Sequence, residues 1–258
     1  NALIVSNKKF SWNAIVAAAS NNNKVTSLSS NNFSLPNPSL FATGLGDYVK
    51  GTSRVEFTAL QIGHPVGQFW GAQVTGVDDK GSFTFKDING DGKIDPTGTD
   101  RTFIGSPQPK LLLSLTNNFT MGNWSAGFLL NGRFGNKILN GVRTLLANGG
   151  YPAGLDGNYL VEATTTNVKS PVTGSYDYYV ENGSFMRLQN ANVSYKLPNN
   201  VGAFKNVSFY VSGNNLFLIT KYTGVDPELN LDGITPGVDT RKNYFKTRGF
   251  QFGVNASF

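Results

Sequence analysis

The chain has no cysteine, which excludes a disulfide framework and a thiolate metal site. Its one histidine, His64, leaves no companion for a His-based zinc centre or a Ser–His–Asp triad. Charge is also scarce. Asp, Glu, Lys and Arg make up 15% of the 258 residues, against about 25% in soluble domains. The net charge is +6 with a pI near 9.4, but the Lys and Arg residues are scattered, which argues against a nucleic-acid partner. The longest apolar stretch, 14–19, falls far short of the roughly 20 residues that a spanning helix needs. No phosphate loop, dinucleotide fingerprint or H-E-x-x-H is present, so no organic cofactor and no enzymatic activity are expected. The carboxylate pairs Asp78/Asp79 and Asp226/Glu228 lie in loop-like contexts. They read as solvated loop charge rather than as glycosidase acids.

What is present is a two-residue alternation. Phe250, Phe252, Val254, Ala256 and Phe258 share one face of the last segment, and Gln251, Gly253, Asn255 and Ser257 share the other. A strand with period two has one apolar and one polar side. The same pattern runs through Phe10, Trp12, Ala14 and Val16; through Leu111, Leu113, Leu115 and Phe119; and through Trp124, Ala126, Phe128 and Leu130. It also appears in Trp70, Ala72 and Val74, and in Phe209 and Val211. In 185–195 the parity changes, with Met186 and Leu188 on one side and Ala191, Val193 and Tyr195 on the other, which predicts a bulge or a local inversion. The polar face is small and neutral, as suits a hydrated lumen, and Trp12, Phe119, Trp124, Tyr195 and Phe258 sit near strand ends, where interfacial girdles belong.

These features predict an all-β fold, a transmembrane antiparallel β-barrel in an outer membrane. Nine segments are candidate wall strands: 3–6, 10–19, 54–62, 68–76, 111–120, 124–133, 185–195, 207–213 and 248–258. Short turns at Met121-Gly122-Asn123 and after Leu197 contrast with long excursions over 20–51, 77–110, 134–184 and 214–245. Short periplasmic turns and long extracellular loops are the barrel arrangement. An odd strand count with two open edges, and a start without Met or a signal peptide, lead us to expect the C-terminal part, residues 1–258, of a longer barrel. A short helix is expected over 136–146, where Ile138, Val142, Leu145 and Leu146 have helical spacing.

One loop looks metal-like. Asp87, Asn89, Asp91, Gly92, Lys93 and Asp95 follow the D-x-N-x-D-G-x-x-D order of the first part of an EF-hand calcium loop, with the Lys93 carbonyl at its seventh position. Position 12 is Gly98 rather than Glu, and Asp100 would substitute if the 96–99 segment curls back. A structural Ca2+ is the expectation; a turn network built by the Asx side chains is the alternative. Tyr176, Tyr178 and Tyr179 precede a strand and would either stack on a ligand ring or form part of an interfacial belt.

Several stretches resemble the SusC/RagA family of TonB-dependent outer-membrane transporters. They are FSWN at 10–13, NKV at 23–25, GHPVGQFWG at 63–71, FKDINGDGKID at 85–95, IG at 104–105 and PQPK at 107–110. FMRLQN at 185–190, NNLF at 214–217, YTG at 222–224, DPE at 226–228 and the terminal Phe258 continue the series. The resemblance implies a barrel of about 22 strands around a plug, of Bacteroidetes type, in the outer membrane of a Gram-negative bacterium. It implies import of glycans or peptides, a SusD-like lipoprotein lid, and energy from TonB, ExbB and ExbD through an N-terminal box. The remaining N-terminal part of the barrel and the surrounding lipid and LPS would be further partners. Two other readings remain: a SusC-like barrel recruited as scaffold in an envelope complex, and a soluble, calcium-stabilised carbohydrate-binding β-sandwich.

Overall fold

The fold is described by a computed structural model for residues 2–42, 56–147, 149, 159–170, 172–229, 231, 233–240 and 243–257. In chain order the strands are β1 (Ala2–Ser6), β2 (Phe10–Ala19), β3 (Ser29–Ser30), β4 (Phe33–Ser34), β5 (Ser39–Ala42), β6 (Glu56–Leu60), β7 (Gln68–Ala72), β8 (Val74–Val77), β9 (Phe83–Phe85) and β10 (Arg101–Gly105). They continue with β11 (Leu111–Met121), β12 (Trp124–Phe134), β13 (Lys137–Asn140), β14 (Val180–Asn182), β15 (Phe185–Lys196), β16 (Lys205–Thr220), β17 (Val238–Asp239) and β18 (Gly249–Ser257). Two short helices, α1 (Gly141–Leu146) and α2 (Glu162–Thr165), lie between β13 and β14. No helix among the described residues is long and apolar enough to cross a membrane.

Seven strands form one antiparallel wall in the order β1-β2-β11-β12-β15-β16-β18. Register fixes its faces, because residues directly opposed in an antiparallel ladder point to the same side. Trp12 opposes Phe119, Phe119 opposes Ala126, Ala126 opposes Val193, Val193 opposes Val211 and Val211 opposes Phe252. This apolar row crosses six strands. Nothing among the described residues covers it: Phe252 is 73% exposed, and Val16, Val193, Phe209 and Phe250 are exposed too. A water-soluble sandwich would bury this face against a second sheet, and soluble monomers rarely expose more than a few hundred Å² of contiguous apolar surface. The face suits lipid.

The parity change expected in 185–195 is present. The ladder slips between Leu188 and Asn190 on both flanks of β15, and β16 answers with Asn215 at φ 52°. The slip moves Leu188 onto the apolar face opposite Leu130 and Phe217, so the outer surface stays greasy through the irregularity. Asn117 is the polar exception on that face. It lies between Ala14 and Phe128, is buried, and its Oδ1 accepts from Trp12 Nε1 at 2.8 Å.

Turns are short at one end of the wall. Met121 pairs with Trp124 around Gly122, whose φ of 57° is the positive value that a two-residue hairpin asks of its first central residue. Asn7 Oδ1 caps the β1–β2 turn by accepting from the amides of Lys9 and Phe10. Aromatic rings gather just above these turns. Trp124 packs on Tyr195 at 4.7 Å, and Trp12 on Phe119 at 5.8 Å. At the other end the connections are long. The expected belt member Phe258 lies outside the described residues.

Two of the nine expected wall strands are elsewhere. β6 and β7 belong to a separate four-stranded sheet, β10-β7-β6-β5, so residues 20–110 form one excursion rather than two (54 and 55 lie outside the described residues). The physical reason is burial on both faces. Phe57, Thr58 and Ala59 are consecutive and buried, as are Gly71 and Ala72, and a lipid wall has no second protein layer to do that. The main hydrophobic core lies here, where Phe57, Phe69, Ala72, Leu139, Leu145, Val172, Tyr176 and Tyr179 cluster. Gly71 admits the close pass this requires: a Cβ there would sit 2.2 Å from the Ser175 carbonyl oxygen, beside the bond from the Ala72 amide to that oxygen. The expected helix over 136–146 begins only at Gly141. Residues 137–140 pair as β13 with β14 and β17, and Asn140 caps the helix through the Arg143 amide at 2.9 Å.

In a bilayer, Phe128→Arg places a cation mid-strand on the greasy face and is expected to cost about 2–4 kcal/mol, whereas a lumen-facing substitution is tolerated. Denaturant titration of the full-length protein in lipid should separate Phe128→Arg from Asn192→Arg, which sits one residue across on the polar face. Equal losses would contradict the facial assignment.

Candidate functional site

The inner face of the wall carries Ser114, Thr116 and Asn118 on β11, Asn131 on β12, Asn190 and Asn192 on β15, and Ser212 and Asn214 on β16. These amides and hydroxyls bond to one another: Asn190 Nδ2 donates to Asn214 Oδ1 at 3.0 Å. The surface offers neutral donors and acceptors and no catalytic nucleophile–base pair.

Charge appears where this face meets the long loops. Arg187 on β15 is 3% exposed, and its Nη2 donates to both carboxylate oxygens of Asp226, each at 2.7 Å. Its Nε lies 3.4 Å from Glu228 Oε2, and Lys246 Nζ also pairs with Glu228. Arg133 on β12 donates from Nη1 to the Leu229 carbonyl at 3.1 Å, and its Nη2 stands 3.9 Å from Glu228 Oε1. Asp226 and Glu228 are therefore not solvated loop charges. They fasten the β16–β18 connection to the wall, and burial of Arg187 demands that pairing. The sequence signal was an arginine at an inner position of strands rich there in Ser, Thr and Asn. Beside the network is an open cavity of about 320 Å³, lined on the inner face by Ala17, Ala19, Leu112, Ser114, Asn131, Arg133, Phe185 and Glu228.

The 87–100 loop is closed by amides. Asp87 Oδ1 and Oδ2 accept from Gly90 N at 2.6 Å and Gly92 N at 2.8 Å, Asn89 Oδ1 from Asp91 N, and Asp91 Oδ1 from Lys93 N. Asp95 folds onto Thr97 and Thr99. The chain does curl back after Gly98. Asp100, fully buried, accepts from the amides of Asp95 (2.7 Å), Ile88 (2.8 Å) and Asn89 (3.4 Å). The Asp95 and Ile88 amides hold its carboxyl below the ordinary carboxylate value, against the opposing effect of burial. Among the described residues, no three Asp, Glu, His or Cys side chains converge as a metal-ligand group. The side chains of Asp87, Asn89, Asp91 and Asp95 thus serve the loop's own backbone, although an ionised carboxylate retains lone pairs beyond those used.

The three tyrosines form part of the loop core. Tyr176 and Tyr179 are 4% and 1% exposed, packed edge-on to Phe83. This corrects the ligand-stacking and belt readings for those two, since neither ring face is open. Tyr178 is 36% exposed, with the Arg143 guanidinium 5.0 Å from its ring centre. Arg143 makes a two-point bond to Glu162, at 2.6 and 2.7 Å. That bond keeps the guanidinium charged beyond its ordinary range despite burial. Glu181 binds the amide and hydroxyl of Thr223 and the Asn140 side chain. Tyr222 donates to the buried Asp239, and burial first, then that bond, pushes the phenol pKa up. His64 stacks on Phe103 at 4.4 Å, a packing role.

No family model matches the chain. It is 26% identical over 293 aligned residues to TonB-dependent receptor P3 of Formosa agariphila, and 24% identical over 269 to TonB-dependent receptor SusC of Bacteroides thetaiotaomicron. Both alignments cover all of this chain and respectively 28% and 25% of the relative. TonB-dependent receptor P39 of Formosa agariphila is 30% identical over 200 residues, covering 69% of this chain and 19% of its own length. The chain thus spans about a quarter of the length of the first two curated relatives. Among solved structures, the RagAB peptide importer in its open-open state superposes with a TM-score of 0.73 at 21% identity, over 99% of this chain and 27% of the other. The RagAB peptide transporter gives 0.72 at 23%, over 99% and 28%. These two likenesses are of fold.

Arg187→Ala should leave the Asp226 carboxylate buried and unpaired, which costs about 3–5 kcal/mol where one member of a buried pair is removed. Limited proteolysis of the full-length protein should then open the 221–248 connection. Arg187→Met combined with Asp226→Leu should restore most of the protection; a double variant as labile as the single one would contradict the assignment.

Proposed function

We propose that this chain is a SusC/RagA-like segment of an outer-membrane TonB-dependent transporter, supplying wall and extracellular rim to a barrel that imports large nutrients, glycan or peptide. The observation that carries the reading is the two-faced sheet: an uncovered apolar face for lipid and a neutral hydrogen-bonding face for a water-filled lumen. Its two edges, β1 and β18, are unpaired among the described residues, and lipid tolerates no open edge. Further strands of the same polypeptide, outside this chain, would close the barrel. A SusD-like lipoprotein would cap the loop end, and TonB with ExbB and ExbD would act through the N-terminal part. The relatives are receptors and transporters rather than enzymes, and import here would break no bond. Tyr178, at the loop surface, remains a proposed stacking contact.

The experiment is deletion of the upstream TonB-interacting box in the full-length gene. Uptake of the cognate nutrient should be lost while the barrel stays in the outer membrane. If growth on every candidate nutrient is unchanged, the scaffold reading takes its place.

A structural Ca2+ held by Asp87, Asn89, Asp91, the Lys93 carbonyl and Asp95 is a separate proposal. It is supported by residue order, and by unspent lone pairs on three carboxylates. Chelation of the full-length protein should then expose 77–110 to proteases, with Ca2+ restoring protection; indifference to EDTA would leave the amide network as the loop's whole support.

A further inference from the structure

We propose that Arg133 and the cavity beside it form a lumen-wall subsite for a carboxylate-bearing unit of the imported oligomer. The inference rests on the importer reading above and adds a ligand chemistry to it. The network at the top of the wall contains three cations, Arg133, Arg187 and Lys246, and two carboxylates, Asp226 and Glu228. Among the described residues one positive charge of this network is left over, and geometry places it on Arg133. Arg187 gives its Nη2 to both oxygens of Asp226, and Glu228 is engaged by Lys246 and lies 3.4 Å from Arg187 Nε. Arg133 spends Nη1 on the Leu229 carbonyl. Its Nη2 is 3.9 Å from Glu228, too far for a hydrogen bond, and Nε makes none among the described residues. Arg133 lines the cavity, two donors of its rigid fork are left without a hydrogen-bond acceptor among the described residues, and that fork matches a carboxylate at two points.

The cavity sets the size of what enters. About 320 Å³ is at the small end of ligand sites and accommodates one residue of an oligomer rather than its length. Asn131 and Ser114 add neutral donors and acceptors, and Ala17, Ala19 and Leu112 give a shallow apolar floor. Small floor residues leave room for a ring or a short side chain beside the guanidinium. The carboxylate has two natural sources, a uronic acid in a glycan and an acidic residue in a peptide, and the test treats them separately.

Full-length protein in detergent, with its lid, would be titrated calorimetrically with an oligouronate and its methyl ester, and with a Glu-containing peptide and its Gln counterpart. The acid form should win in one arm. Arg133→Gln should weaken that acid form by about 10-fold or more, as loss of a charged hydrogen bond does, and leave the neutral form unchanged. Arg133→Lys, which keeps the charge but not the fork, should lose several-fold and decides the matter if Arg133→Gln fails to fold by heat-modifiable gel migration. Equal affinity for acid and neutral forms in both arms, or variants that bind the acid as the wild type does, overturns the subsite and leaves TonB-dependent uptake standing. Absence of both oligomer binding and TonB-dependent uptake overturns the importer reading, and the subsite with it.

Discussion

In lipid every backbone amide and carbonyl must find a partner within the protein, and the wall is organised around that constraint. Each of the seven wall strands hydrogen-bonds its neighbour in an antiparallel ladder. Once the ladder is fixed, the period of two assigns every side chain to lipid or lumen without further choice. A one-residue slip would turn the whole apolar set inward. The slip at Leu188–Asn190 avoids this outcome because both neighbouring ladders absorb it at the same place. It exchanges the parity of β15 between its lower and upper halves while Leu130, Leu188 and Phe217 stay on the greasy side. The irregularity conserves the face and sacrifices only the regular spacing.

Such a wall buries almost nothing against itself, so the protein's core has to lie elsewhere. It lies in the long connections, where β6, β7, β13 and α1 close around Phe57, Phe69, Leu139, Leu145 and Tyr179. The loops form a folded layer with sheets, a capped helix and interior ion pairs. Attachment of that layer to the wall is polar. Arg143 and Glu181 bind elements within the layer, and Arg133 and Arg187 reach from wall strands to the DPE segment. Because hydrogen bonds from an arginine to a carboxylate or carbonyl are directional, the Arg187–Asp226 and Arg133–Leu229 contacts fix where the loops stand over the lumen more sharply than apolar contact would.

The wall was legible because its environment is uniform: lipid on one side, water on the other, and a residue's parity reports which. Gly122 marked its hairpin and the mixed parity of 185–195 marked the slip for the same local reasons. β6 and β7 were misread because alternation alone does not say whether the second face is wet or covered. Ala59 beside Leu60 and Phe69 beside Trp70 carried the hint, but the covering residues, Val172 to Tyr179, come from about a hundred positions away. Tyr176 and Tyr179 were opaque for the converse reason. The 87–100 pattern reads as a calcium loop or as an Asx turn network, because amides and cations seek the same oxygens and spacing does not distinguish them. The Arg187–Asp226 pair spans 39 positions, and no local rule joins them.

Two wall residues depart from the pattern around them, Asn117 as a polar group on the lipid face and Arg187 as a buried charge on the neutral inner face, and the difference in their support follows from magnitude. Asn117 is a neutral amide on the lipid side, where an unbonded polar group costs about 1–3 kcal/mol by mutational measures. One donor, the Trp12 indole, offsets much of that, and Trp belongs at this level as an interfacial ring in any case. Arg187 is a buried cation, whose desolvation costs several kcal/mol even after relaxation. One neutral partner would not suffice, and the structure supplies a two-point carboxylate with a second acid close behind. A hydrophobic residue at the position would be as stable on general grounds, because buried ion pairs seldom exceed their apolar replacements. What an apolar residue would not do is hold the 226–229 segment at one height above the lumen. The arginine on β15 is therefore better understood as fixing the rim's geometry than as adding to the wall's stability.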